Sequence, residues 1–269
     1  MHKLQQFDGI LILAGAGFSA DSGLPVFRGE EGFYTAYPPF KDISVPFEYV
    51  ASPDFAEAEE SLFTAFYAHR LDLYRKTEPH CGYADLLQAI NENNLEYFVV
   101  TTNVDGHFER AGYDPLKIHE KHGSINHYRC VNAKCFDEHG LIDAPASLKS
   151  DESLVPSFLP KCEHCGSLLR PSILLFNDWL WQSPLSNAQE KRYSKWVNGM
   201  FEKNKRVLIL EFGAGPDIPS LRILHNQLLM TDPEWAGYRV NLDEKHSEAS
   251  MWNMWSYTGR SIDFIHDLI

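Results

Sequence analysis

At 269 residues with ordinary globular composition, the chain is long enough for one large domain, or for one domain carrying a smaller insertion. A formal net charge of −13 argues against a duplex-binding surface, which needs clustered Lys and Arg, and is compatible with a basic, lysine-containing protein partner. No stretch reaches the length of a membrane span, and Ile10–Ala14, with Asp8 just before it, is too short for a secretory h-region. The expected compartment is the cytoplasm, with no nucleic-acid or membrane partner.

The apolar run Ile10-Leu11-Ile12-Leu13-Ala14 reads as a buried parallel strand. It ends in Gly15-Ala16-Gly17, two glycines that let the backbone turn sharply and approach a ligand. Backbone N–H groups there, and those of a helix opening near Ser19, are expected to face a pyrophosphate. The usual dinucleotide fingerprint wants a third glycine three residues on, where this chain has Ala20. The aromatic, Pro-rich run from Gly32 to Phe47 lacks a clean period and reads as a mobile loop or lid with short helices. Pro53 to Lys76 turns helical, with Ser52-Pro53 as cap, and Pro79 to Asn94 is a second helix burying Leu86, Leu87 and Ile90.

Tyr97–Val100 is a second buried strand, delivering Thr102-Asn103-Val104-Asp105 at its carboxyl end, where ligands sit in an open α/β sheet. A short helix from His107 to Gly112 comes next, then Ile118 to Tyr128 with His122-Gly123-Ser124 inside it. Later strands are expected at Pro171–Phe176, Val207–Phe212, Tyr238–Leu242 and Ile262–Ile265, and a helix at Ser186–Lys203. Strands alternating with helices make a doubly wound parallel α/β sheet.

Five cysteines include two local pairs, Cys130/Cys135 and Cys162/Cys165, with Cys81 apart. In a reducing compartment such pairs mean metal more often than disulfide. Four thiolates on two turns close a tetrahedral zinc shell, which makes the site structural because no coordination position stays open. His139 and His164 are read as bystanders.

The run Gly15-Ala16-Gly17-Phe18-Ser19-Ala20-Asp21-Ser22-Gly23-Leu24-Pro25-Val26-Phe27-Arg28-Gly29 resembles the sirtuin cofactor motif, matching through both glycines, Ser19, Ser22, Gly23, Pro25, Phe27, Arg28 and Gly29. Thr102-Asn103-Val104-Asp105 resembles the family's Gln-Asn-hydrophobic-Asp, with Thr102 in place of Gln, and His122-Gly123-Ser124 resembles its His-Gly-Ser. The family also inserts a four-cysteine zinc module after the histidine motif. Glu211-Phe212-Gly213-Ala214-Gly215-Pro216 stands where relatives show Gly-Thr-Ser, and is similar to a bacterial side branch, some of whose members transfer ADP-ribose. Asn241 is similar to the family's adenosine-ribose asparagine. Leu175-Phe176-Asn177-Asp178 resembles Val-x-Phe-Gly-Glu, the strand that pairs with substrate backbone, with Asn177 for glycine and a shortened acid at Asp178.

This resemblance implies a Rossmann-like NAD domain (1–30, 78–128 and 170–269) and a small zinc-and-helix module (31–77 and 129–169). It implies an NAD-dependent protein lysine deacylase, with ADP-ribosyl transfer or NAD hydrolysis as the alternative and a silent NAD-binding sensor as the rival. The partner is an acylated or ADP-ribose-accepting protein. The implied catalytic residues are His122 as general base, rather than His119 or His127, with Asn103 and Asp105 holding the leaving group. The implied cofactor contacts are Gly15, Ala16, Gly17, Ser19, Phe27, Arg28, Asn103, Asp105, Gly213, Ala214, Gly215 and Asn241, and the zinc ligands are Cys130, Cys135, Cys162 and Cys165. Phe27 is expected to shield the site from returning nicotinamide, and Arg28 to steady the phosphates. Phe33, Tyr34, Tyr37 and Phe40 are expected to wall an acyl pocket. Lys41 is the only Lys or Arg between Arg28 and Arg70, so neutral acyl chains are expected over succinyl.

Overall fold

The structure, a computed structural model, describes residues 2–26, 29–151, 153–179 and 181–269, so Phe27 and Arg28 lie outside the described residues. Along the chain the strands are β1 (Gly9–Ala14), β2 (Glu96–Thr101), β3 (Ile118–Glu120), β4 (Gly123–Cys130), β5 (Ile142–Asp143), β6 (Leu169–Ile173), β7 (Val207–Phe212), β8 (Ala236–Asn241) and β9 (Met254–Thr258). The helices are α1 (Ala16–Ala20), α2 (Gly29–Ala36), α3 (Pro38–Asp42), α4 (Phe47–Val50), α5 (Pro53–Ala58), α6 (Glu60–Lys76), α7 (Cys81–Glu92), α8 (His107–Arg110), α9 (Ala133–His139), α10 (Pro184–Glu202), α11 (Ser220–Thr231), α12 (Glu244–Ser247) and α13 (Ser261–Leu268).

The large sheet has the order β3-β2-β1-β7-β8-β9, with every pairing parallel. β1 is buried over its whole length because helices cover both faces, which is why it reads as an unbroken apolar run. Alternate residues serve opposite layers. Ile10, Ile12 and Ala14 pack with α7 and α13 through Leu86, Ile90, Phe264 and Ile265. Leu11 and Leu13 pack with α10 and α11 through Val197, Met200, Leu221 and Leu228. From β1 the chain builds outward to β2 and β3, then restarts on the other side with β7. The carboxyl ends of β1 and β7 therefore border a topological switch point, the crevice where such sheets bind ligands.

β4 pairs with β5 and β6 in a separate antiparallel sheet. It packs with α2–α6 around a second core holding Phe33, Tyr37, Phe40, Phe55, Phe63 and Phe66. The expected single helix over Pro53–Lys76 breaks at Glu59, and Ser52 caps its first half by accepting a 3.2 Å bond from Phe55 N.

Two expectations are corrected. Ile262–Ile265 is helical, inside α13, and the last strand is β9. An apolar run of four carries too little period to tell strand from helix, whereas Phe264, Ile265 and Leu268 fall on one helical face against α7 and β8. Three of the four aromatic residues expected to wall the acyl pocket are core: Phe33 and Phe40 are fully buried and Tyr37 nearly so, with Phe33 stacked on Phe40 and all three edge-on to Phe66, while Tyr34 is partly buried against them.

The crevice floor is two glycine turns in direct backbone contact. Gly15 N donates to Phe212 O at 2.8 Å and Gly17 N to Gly213 O at 3.1 Å. A Cβ on Gly17 would stand 2.6 Å from Gly213 Cα. Gly213 has φ +59, and its own Cβ would lie 2.4 Å from Gly17 Cα. A Cβ on Gly215 would meet nothing within 4 Å. Gly213→Ala is therefore expected to destabilise the fold by about 1–3 kcal/mol through overpacking, while Gly215→Ala stays near wild type. Thermal unfolding of both variants checks the contrast.

Candidate active site and metal centre

The cavity at the switch point has a volume of about 400 Å³, and its polar lining includes Ser19, Thr102, Asn103, Asp105 and His122, with Ala16 beside them. Leu24, Phe47, Tyr67, Arg70, Tyr74, Ile173 and Phe176 line the rest. The segments around Ser19, Asn103, His122 and Phe176 thus meet in one place, whereas Gly15, Gly17, Gly213, Ala214, Gly215 and Asn241 are not among its lining residues.

A buried polar network joins the first turn to the end of β2. Ser19 Oγ donates to Asp105 Oδ2 at 2.6 Å, and Asn103 Nδ2 donates to Ser19 Oγ at 2.9 Å and to Gly15 O at 3.0 Å. Because the Ser19 hydrogen goes to the carboxylate, its lone pair must accept from Asn103, which fixes the amide orientation. Both Asn103 amide hydrogens are spent this way. No hydrogen bond among the described residues engages Asn103 Oδ1, which is left as an acceptor for a ligand. His107 N closes the turn on Asp105 Oδ1 at 2.9 Å. Thr101 Oγ1 bonds Ala14 O at 2.9 Å and accepts from Asn103 N at 3.0 Å, holding the network to β1.

His122 leaves β3 at the cavity edge. Burial, reinforced by the Lys121 charge, depresses its pKa to about 4 against the pull of a hydrogen bond to the Thr102 backbone. The imidazole is therefore neutral at physiological pH and able to accept a proton. His119 has a similarly depressed pKa, about 4, from burial and then the Lys121 charge. Its ring lies elsewhere, with Nε2 3.2 Å from Ser186 Oγ of α10 and its plane against Tyr193. His127 sits 3.6 Å from Asp143 in the small sheet. Position, not pKa, separates His122 from His119.

At the β7 side, Gly213 N donates to Val240 O at 2.9 Å. The sheet consumes that donor, as Phe212 O and Gly213 O consume those of Gly15 and Gly17, which corrects the expectation that the N–H groups of these two glycines face a pyrophosphate. Ala214 O is held by Asn241 Nδ2 at 3.3 Å and by Arg222 Nη1 at 3.3 Å, so Asn241 braces the turn. Below it, Glu211 is buried in a charge cluster, 2.8 Å from His225 Nδ1 and 2.7 Å from Arg239 Nε.

The altered substrate segment has its own local logic. Asn177 adopts φ +57, the left-handed conformation that asparagine tolerates in place of glycine, and its side chain is exposed. Asp178 pairs with buried Arg170 at 2.5 Å, so the shortened acid anchors the loop. Leu174 N reaches His122 O at 2.9 Å and Phe176 N reaches Ala51 O at 2.8 Å, tying the segment to both sides of the cavity.

One part of the site escapes sequence reasoning. Tyr67, Arg70 and Tyr74 recur at helical spacing on α6 and line the cavity. Arg70 Nη2 donates to Tyr74 Oη at 2.6 Å and Nε to the same oxygen at 3.2 Å. Tyr67 Oη is buried with no hydrogen bond of ordinary geometry among the described residues, and burial pushes its pKa up to about 12, so it remains a neutral donor. The only available signal is an arginine on an otherwise apolar helical face, the same pattern that a solvated helix edge produces.

The four paired cysteines converge. Cys130 Sγ lies 3.5 Å from Cys165 Sγ and Cys135 Sγ 3.6 Å from Cys162 Sγ, with all four sulfurs within 4.8 Å of one another. Tetrahedral Zn–S bonds put sulfurs about 3.8 Å apart, so the donor set fits zinc. Asn132 caps α9 by accepting from Cys135 N at 3.2 Å, and Gly166, at φ +74, donates to Cys162 O at 2.8 Å to close the second knuckle. His139 and His164 stack on each other with centroids 3.6 Å apart and are not in the sulfur cluster.

Residues 15–196 match the sequence model described as the Sir2 family. A protein of Aquifex aeolicus named NAD-dependent protein deacylase is 34% identical over 181 residues, covering 67% of this chain and 66% of that protein. A Daphnia pulex protein of the same name is 30% identical over 202 residues, 70% of each chain. The alignments thus span about two thirds of these relatives. A solved Sir2 homologue in complex with NAD superposes with TM-score 0.68 at 22% identity, covering 98% of this chain and 89% of that one.

Purified protein is expected to hold one tightly bound zinc that survives gel filtration. Replacing Cys162 and Cys165 together by Ala is expected to remove it and to loosen the 130–169 region, read by elemental analysis and limited proteolysis.

Proposed function

The chain belongs to the Sir2 family, and we propose that it works as an NAD-dependent protein lysine deacylase. The observation that carries this reading is the convergence of Ser19, Asn103, Asp105 and a neutral His122 on one cavity at the switch point of the sheet. A binding module would need the cradle but not the base. NAD, when bound, supplies a ribose carbon that becomes electrophilic as its nicotinamide bond breaks.

The residues divide the work. Ala16 lines the cavity beside Ser19, and the Gly213-Ala214-Gly215 turn, braced by Asn241 and Arg222, packs against Gly15 and Gly17 and so supports it. Asn103 Oδ1 accepts from the carboxamide N–H of the leaving group, and Asp105 holds Ser19 and Asn103 in register. His122 takes a proton from a ribose hydroxyl, using the ring nitrogen not bonded to Thr102. The acylated lysine enters beside Leu174–Phe176 as an added strand. The larger domain, 1–30, 78–128 and 170–269, would carry the cofactor, and 31–77 with 129–169 the zinc module, the small sheet straddling both boundaries. The four thiols in a metal-type cluster support a reducing compartment, hence the cytoplasm. Among the described residues no helix is long and apolar enough to cross a membrane.

The acyl pocket points away from the neutral chains expected from sequence. Its aromatic wall is core, and the cavity is instead lined by the Arg70 guanidinium and the Tyr67 hydroxyl. A cation and a neutral donor one turn apart on α6 suit an acyl chain ending in a carboxylate. Of the departures that kept ADP-ribosyl transfer open, Asp178 anchors its loop on Arg170 and Gly213 is required by the Gly17 contact, and ADP-ribosyl transfer stays the alternative reading.

His122→Ala is expected to abolish acyl removal with NAD affinity nearly unchanged, while His119→Ala stays within a few-fold of wild type; the reverse ranking in a turnover assay rejects the base. Arg70→Met is expected to lower kcat/KM for succinyl-lysine peptide by roughly 10- to 100-fold, the weight of a charge-assisted bond, and to spare acetyl-lysine. Faster removal of acetyl than succinyl by the wild type would overturn the pocket reading.

A further inference from the structure

We propose that Cys81, Asp85 and His266 form a second, labile binding site for a zinc-class divalent ion, clamping α7 to α13 on the surface. It is separate from the four-cysteine centre, and none of its residues lines the active-site cavity.

The site arises from helix geometry. Cys81 and Asp85 are one turn apart on α7, so both project from the same face. α13 packs against α7 through Phe264 and Ile265, and this brings His266 alongside. His266 Nε2 lies 2.9 Å from Asp85 Oδ2 and 3.9 Å from Cys81 Sγ, and one ligand atom from each residue falls within 4.8 Å of the others. Tetrahedral zinc bonded to sulfur, nitrogen and oxygen spaces its ligands by about 3.3–3.6 Å. The three atoms therefore need only small shifts, in side chains that are at least partly exposed and able to move.

The donor set selects the ion. A thiolate and an imidazole prefer zinc-class ions over magnesium or calcium, which take oxygen. Binding displaces the Cys81 thiol proton to solvent and leaves a fourth position for water, as in three-ligand zinc sites. Exposure makes the site labile: Cys81 and His266 both face solvent, so the ion exchanges.

The clamp has a structural reach. The residue before Cys81, His80, donates its N–H to Ser22 Oγ at 2.9 Å. At the start of α13, Ile262 N donates to Asp21 Oδ2 at 3.2 Å. Both clamped helices thus hold the Asp21–Ser22 segment, which continues from the first glycine turn. Occupancy of the site would stiffen the support of that segment.

The test uses full-length protein carrying its tightly bound zinc. Labelling with a chromogenic thiol reagent is monitored with and without micromolar Zn²⁺, and the fast-reacting thiol is assigned by its loss in Cys81→Ser. Zinc is expected to slow that reaction at least tenfold, Mg²⁺ to leave it unchanged, and His266→Ala and Asp85→Ala each to lose the protection. After equilibration with Zn²⁺, bound zinc is expected to count two per chain in the wild type and one in Cys81→Ser. Labelling indifferent to zinc, or protection that persists in both His266→Ala and Asp85→Ala, would overturn the proposal and leave only a surface His–Asp ion pair beside an unrelated thiol. Thermal unfolding of each variant without added zinc, expected at the wild-type temperature, separates loss of the site from loss of the fold.

Discussion

The contact on which the rest depends is that between the backbones of Gly17 and Gly213. Two strand ends must come within van der Waals distance at the switch point, and any side chain on either residue would occupy the other's backbone. Their N–H groups are consumed by this approach, Gly17 on Gly213 O and Gly213 on Val240 O. The turn therefore acts as a hinge pin that sets where β1 and β7 release the chain. Beyond the pin, the cavity receives Ser19 from the β1 side and Ile218 from the loop after β7.

From that pin, charge and burial prepare the site before any ligand arrives. Ser19, Asn103 and Asp105 satisfy one another so completely that only Asn103 Oδ1 is left for a ligand. Such a network is rigid because every alternative rotamer strands a buried polar group. His122 is kept neutral by desolvation and by Lys121. Arg70 keeps its charge in a largely apolar cavity because the guanidinium stays protonated under burial, with the Tyr74 hydroxyl taking two of its N–H groups. The base and the cation thus occupy one cavity without competing for a proton.

Much of this is legible in the chain. β1, β2, β7 and β8 are buried almost throughout, so their apolar runs announce themselves, and the motifs at Gly15, Asn103 and His122 sit at or just beyond strand ends. The two cysteine pairs read correctly because metal ligation imposes local spacing. Other features depend on tertiary choices that no short pattern records. β9 is an edge strand with Trp255 partly exposed, and α13 carries its apolar residues in a short run, so sequence alone favours the wrong one of the two as the last strand. Phe33 and Phe40 look available because they are aromatic residues in an aperiodic stretch; packing against Phe66 takes them inside. Arg70 gives no signal because a helix does not declare whether its arginine meets water or a cavity. His119 and His122 differ only in their surroundings at β3, and the Gly-Ser after His122 marks the difference.

The most direct measurement is a product balance. The protein is incubated with NAD and a succinyl-lysine peptide, and every product is identified by mass. Nicotinamide, free-lysine peptide and O-succinyl-ADP-ribose are expected to form in equal amounts, none without NAD. ADP-ribose left covalently on protein, or NAD consumed with the peptide untouched, would contradict it.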